Sequence, residues 1–218
     1  RPLIITGAGA AWGNAPAGNG GSEPATQAAS KALAAIVADH HIPIAGNGLG
    51  RGIVAEDWQR SFNWPIMQIA AKEADVVCVI GARLKQRLGY GLSPRFSPNA
   101  KFIQIDVEAE ELSRNRRIDV PIAADAGLAA GQLRDALAGL RGNPAMTAAR
   151  ADWVLHALRD RLQYLDEVES GVHQAIHPLV LGRQLAKRLP QLSSNKQPVG
   201  IPTLAILSRS IYVVQSRI

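Results

Sequence analysis

Over the first 125 residues, short apolar runs alternate with longer stretches in which small apolar residues recur at helical spacing. Leu3–Thr6, Ile42–Ala45, Val76–Ile80, Phe102–Ile105 and Val120–Ala124 are bounded by turn or polar residues, the pattern of strands in an open parallel sheet. Between them, Pro24–Asp39 reads as an amphipathic helix through Ala28, Ala32, Ala35 and Ile36, and Pro65–Glu73 as a helix with proline in its first turn. Glu108–Arg114 is helix-like, and Gly127–Leu140 reads as a helix closing the domain. Gly142-Asn143-Pro144 then marks a boundary. Thr147–Leu165 is a second amphipathic segment and Leu179–Leu189 a short helix-like run, whereas periodicity and acidic residues are both lost from Gln191 onward. The expected organisation is a domain over 1–141, a helical extension over 142–190 and an irregular, poorly ordered tail over 191–218.

The chemistry-bearing residues fall where these runs end. Val76–Ile80 runs into Gly81-Ala82-Arg83, Phe102–Ile105 into Asp106, and Val120–Ala124 into Asp125. In an open α/β sheet, ligands bind outside the carboxyl ends of the strands. There a guanidinium can clamp phosphate and a carboxylate can accept hydrogen bonds from ribose hydroxyls. The competing reading is that Arg83 and Asp106 only finish strands and cap turns. After the first run, Gly7-Ala8-Gly9 opens a stretch resembling a dinucleotide fingerprint, whose third glycine comes one place late at Gly13. The second run ends in Gly46-Asn47-Gly48 instead of an acid, so an NAD-dependent oxidoreductase is disfavoured. The glycines can still let backbone approach a phosphate closely, or serve an ordinary strand-to-helix turn. Arg51 lies in GNGLGRG, four glycines within seven residues, an irregular loop. Trp58, Phe62 and Trp64 read as packing for a loop.

Composition narrows the choice. Of the net charge of +6, an excess of one basic residue lies in 1–125 and of five in 126–218, partly in the tail. That is no basic stripe on a folded sheet, so nucleic acid is not expected as a partner. No apolar run approaches membrane-spanning length, so no membrane is expected either. The single cysteine, Cys78, sits inside a strand run and reads as core filler, and the setting expected is cytoplasmic. His156, His173 and His177 match no compact metal spacing. Neither a nucleophile elbow nor a P-loop is present, so no catalytic residue is assigned.

GARL at 81–84, KFIQIDVEAEEL at 101–112 and VPIAADAG at 120–127 resemble the central domain of thiamine-diphosphate-dependent enzymes, which include 2-hydroxyacyl-CoA lyase, oxalyl-CoA decarboxylase and acetolactate synthase. LGYG and SRNRRIDVP bring the chain nearer the first two branches, and Leu84-Lys85-Gln86 departs from the GARFDD-like run of the third. The resemblance, over roughly 1–140, implies a doubly wound, Rossmann-like parallel sheet of six strands. It implies a structural FAD or ADP on this domain, with Gly7, Gly9, Arg51, Arg83, Asp106 and Asp125 matching the nucleotide-side positions. It further implies thiamine diphosphate and Mg2+ in the complete enzyme, a homo-oligomer, and separate pyrimidine- and diphosphate-binding domains. The catalytic Glu and the GDG…NN run of those domains are not in this chain, so it is expected to be a fragment that is inactive alone. A free-standing nucleotide-binding or interaction module is the alternative.

Overall fold

A computed structural model describes residues 1–12, 25–55, 60–62, 66–140 and scattered positions between 149 and 184. Among these residues the chain forms β1 (Pro2–Thr6), α1 (Ala8–Trp12), α2 (Ala25–His40), β2 (Ile44–Gly46), β3 (Ser61–Phe62), α3 (Ile66–Glu73), β4 (Val76–Ile80), β5 (Lys101–Asp106), β6 (Val120–Ala123) and α4 (Ala126–Ala138). The six strands make one sheet in the order β3-β2-β1-β4-β5-β6, and every pair is parallel. The direction of winding reverses between β1 and β4, the switch point at which such sheets leave a crevice.

The strands are apolar on both faces, and alternate residues feed two cores. Leu3, Ile5, Val77, Val79 and Phe102 pack with Met67, Ala70 and Ala71 of α3. Ile4, Cys78, Ile80 and Ile105 pack with Leu33 and Ile36 of α2 and Ala129 and Ala130 of α4. Burial pushes the Cys78 thiol up to about 12, so it fills core and is no nucleophile near neutral pH.

Two sequence readings are corrected. Phe62 does not simply pack a loop: with Ser61 it forms the short edge strand β3, paired to Ile44 and Ala45. Its run is too short to show a period. Glu108–Arg114 is not a helix. Only the 3-10 turn Ala109–Glu111 forms, because the Gln104 side chain donates to the Glu111 carbonyl (3.1 Å) and accepts from the Ser113 amide (3.3 Å). Ser113 then takes φ +60°, which ends the turn.

The chain divides into two compact units, Arg1–Leu158 and Arg159–Ile218. In the first, Trp153 is helical and buried in the core on the α3 face. In the second, Arg159, Gln163, Asp166, Glu167 and Ser170 are helical, and Gln163 Nε2 donates to Glu167 Oε1 at 3.0 Å. Gly13, Trp58, Trp64, His156, His173, His177, most of the two later helix-like runs and the 191–218 tail lie outside the described residues.

Candidate functional site

The register puts the strand ends on one level. Thr6 pairs with Gly46 and with Ile80, and Ile80 pairs with Ile105. Gly7, Asn47, Gly81 and Asp106 therefore form the next row, the carboxyl rim. All six candidate residues lie on or beyond it. Arg51 follows β2, Gly7 and Gly9 follow β1, Arg83 follows β4, Asp106 ends β5 and Asp125 follows β6. Strand spacing separates the β2 and β6 ends by about 19 Å, so Arg51 and Asp125 cannot share one phosphate group. Arg83 follows β4 and Asp106 ends β5, and these two strands are adjacent.

Gly7 and Gly9 do not form an open cradle. The Gly7 amide donates to the Ile80 carbonyl (3.0 Å) and the Gly9 amide to the Gly81 carbonyl (2.9 Å). A Cβ on Gly7 would lie 2.3 Å from the Gly81 oxygen, and one on Gly9 2.8 Å from the Gly81 Cα. Glycine here permits backbone-on-backbone packing across the switch point. The turn leads directly into the short helix α1, the strand-to-helix alternative of the sequence reading. A Cβ on Gly46 would lie 2.6 Å from the Arg51 Cα, so the loop carrying Arg51 is folded back on the end of β2. Thr6 Oγ1 donates to the Gly50 carbonyl at 3.0 Å and ties the same loop to β1.

The carboxylates divide their labour. Asp125 N-caps α4, accepting from the amides of Gly127 (2.8 Å) and Leu128 (3.2 Å). Asp106 is buried and accepts from the Glu108 amide through Oδ1 at 3.0 Å. Among the described residues its Oδ2 has no hydrogen-bond donor.

Arg83 is the exposed cation of the rim. Its Nε lies 3.6 Å from Oε1 of Glu111, whose carboxylate is buried, with 8% of its surface accessible against 52% for Arg83. Among the described residues no acceptor makes a hydrogen bond with the Arg83 guanidinium. Arg114 Nη1 donates to the same Glu111 oxygen at 2.7 Å. Further along that turn, Asn115 Nδ2 donates to the Leu84 carbonyl (2.8 Å), and Arg116 donates to the carbonyls of Gly91 and Ala100. Arg116 also lies 3.8 Å over the Phe102 ring, which meets Phe96 edge-on. The sequence reading used SRNRRIDVP only for likeness. Its tertiary role, sewing the loop after β4 to the rim, was missed. No local spacing signals these contacts, since Asn115 and Arg116 reach back 31, 25 and 16 residues to Leu84, Gly91 and Ala100.

Residues 1–133 match the family described as "Thiamine pyrophosphate enzyme, central domain". The chain belongs to this family. As a thiamine pyrophosphate enzyme central domain it is 33% identical over 120 residues to human 2-hydroxyacyl-CoA lyase 1, covering 53% of this chain and 17% of that protein. It is 32% identical over 143 residues to the oxalyl-CoA decarboxylase of Escherichia coli K12, covering 66% and 22%. It is 35% identical over 105 residues to a probable acetolactate synthase large subunit of Methanocaldococcus jannaschii, covering 45% and 17%. The aligned stretch is thus about a fifth of the length of these relatives. The family uses thiamine diphosphate. Among the described residues no cluster of three or more His, Cys, Asp or Glu is placed to hold a metal ion. No helix among the described residues is long and apolar enough to cross a membrane.

Proposed function

We propose that this chain is the nucleotide-holding central domain of a thiamine-diphosphate- and Mg2+-dependent carbon–carbon lyase or decarboxylase of the 2-hydroxyacyl-CoA lyase, oxalyl-CoA decarboxylase or acetolactate synthase type, working in the cytoplasm as part of a homo-oligomer. The reacting cofactor, which supplies the electron sink, belongs to the pyrimidine- and diphosphate-binding domains of that enzyme. This domain holds an adenine nucleotide, ADP or FAD, as a structural ligand along the carboxyl rim. The observation that carries the reading is the Arg83 guanidinium, half exposed and free of hydrogen bonds among the described residues, one strand from the uncommitted Oδ2 of Asp106. Arg83 takes the diphosphate and Asp106 a ribose hydroxyl. Gly7 and Gly9 shape the floor through their backbone packing, Arg51 flanks the far side, and Asp125 orients the α4 N-terminus. The engaged amides of Gly7 and Gly9 count against an NAD site in the crevice.

Calorimetric titration of ADP into the 218-residue chain tests this. Arg83→Ala is expected to weaken binding by about 1.5–3 kcal/mol, the scale of a charge-assisted hydrogen bond, while moving the urea midpoint little. Equal affinity in the two proteins sinks the assignment. The chain alone, given thiamine diphosphate and Mg2+, is expected to turn over no acyl substrate; measurable turnover would place reacting groups on it.

A further inference from the structure

Glu111 is buried, yet both guanidinium groups that neutralise it are largely exposed, 52% for Arg83 and 60% for Arg114. One carboxylate therefore has two counter-ions. They are not equivalent, since Arg114 makes a hydrogen bond at 2.7 Å and Arg83 only an ion pair through Nε at 3.6 Å. A buried carboxylate that loses its last partner is strongly destabilising. Were Arg83 the sole partner, drawing it outward to a phosphate would strand that charge.

The backbone around the three residues is pinned. Gln104, on β5, holds the Glu111 carbonyl and the Ser113 amide, and Asn115 holds the Leu84 carbonyl. Glu111 thus cannot follow Arg83 outward, and the adjustable element is the choice of ion-pair partner. We propose that Arg114 is a positioning residue. By keeping the Glu111 charge paired, it releases Arg83 to bind an anionic ligand at the rim without itself touching that ligand. The inference rests on the reading of Arg83 as the diphosphate contact.

The test is a double-variant cycle on the full 218-residue chain, with ADP as the probe and adenosine as the phosphate-free control. Arg114→Gln is expected to weaken ADP binding about tenfold, because Arg83 is then claimed by Glu111. Adenosine binding should not change. In the Glu111→Gln background, where no charge needs pairing, the same Arg114→Gln change should leave ADP affinity constant within about twofold. Arg114→Lys, which keeps the charge, should bind ADP as the unaltered chain does. A tenfold loss that persists with Glu111→Gln would mean that Arg114 contacts the ligand directly, and would overturn the proposal. So would unchanged ADP affinity in Arg114→Gln, or an equal loss of adenosine binding. If the unaltered chain and Arg83→Ala bind ADP identically, or neither binds it, the nucleotide reading itself fails and takes this inference with it.

Discussion

The two halves of the carboxyl rim are closed by different materials. At the β1–β4 switch point, backbone lies on backbone. Added Cβ atoms would meet backbone at 2.3 Å from Gly7, 2.8 Å from Gly9, 2.3 Å from Gly50 and 2.4 Å from Gly81. Between β4 and β5, side chains do the holding, through Glu111, Arg114, Asn115 and Arg116. A backbone seam has no rotamers to change, so it is stiff and its amides are already committed. A side-chain seam can exchange partners, and that is where a guanidinium keeps donors to spare. A glycine-rich turn after a strand is therefore not by itself a phosphate cradle. The deciding question is where its N–H groups point.

If the glycine seam is as tight as this, Gly81→Ala is the most damaging single change. It combines a φ of +59° with a Cβ 2.4 Å from the Ala10 amide nitrogen. A loss of about 3–5 kcal/mol in urea unfolding is expected. A loss under about 1 kcal/mol would show that the seam can relax. On the side-chain half, Arg116→Ala removes two carbonyl contacts and the cation over Phe102. It should cost about 1.5–3 kcal/mol. Arg116→Lys should not restore it, because a single ammonium cannot reproduce the planar fork. Full recovery by lysine would reduce Arg116 to a point charge.

Gly131 provides the counter-case, a glycine inside α4 with nothing within 4 Å of an added Cβ. Gly131→Ala should stabilise by about 0.5–1 kcal/mol through helix propensity and unfolded-chain entropy. Destabilisation would reveal a packing demand that its open surroundings do not show. The smallest effect is expected at the entry to β6. The Phe102 amide at 2.8 Å, then the Lys101 ammonium at 3.0 Å, hold the Asp119 carboxyl below its usual range. A depressed carboxyl contributes stability above its unfolded value, about 3.9, and loses it as pH falls through the lowered folded value. Urea midpoints measured from pH 5 down to pH 2 should therefore fall less steeply for Asp119→Asn than for the unaltered chain. Parallel slopes would remove Asp119 from the acid response.

Most strands were legible because strands buried on both faces are continuous apolar runs, and Val76–Ile80 has the same bounds in sequence and structure. Leu3–Thr6 lost only Pro2, which pairs with Val76 at the start of β1. The helix α3 was legible through the proline that opens the run Pro65–Glu73, and the rim positions through the rule that ligands gather at carboxyl ends. β3 was not legible, since two residues carry no period and pair only because β2 presents an open edge. The turn over Ala109–Glu111 was misread as longer because helix propensity does not register the Gln104 side chain, which reaches forward from β5 to end the turn.

The sequence alone determined the alternation of elements, the burial of Cys78 and the placement of Gly7, Gly9, Arg51, Arg83, Asp106 and Asp125 at strand ends. Those follow from side-chain period and turn chemistry, which are properties of neighbours along the chain. Only the tertiary structure decided which of those groups are already spent. The Gly7 amide goes to the last carbonyl of β4, the Gly9 amide to the Gly81 carbonyl just past it and the Asp125 carboxylate to α4, while the Arg83 guanidinium is left beside a carboxylate that Arg114 already satisfies. The Asp125 cap and the Glu111–Arg114 pair are local, but the partners of Gly7, Gly9 and Arg83 depend on distances between segments far apart in sequence, which no local pattern encodes.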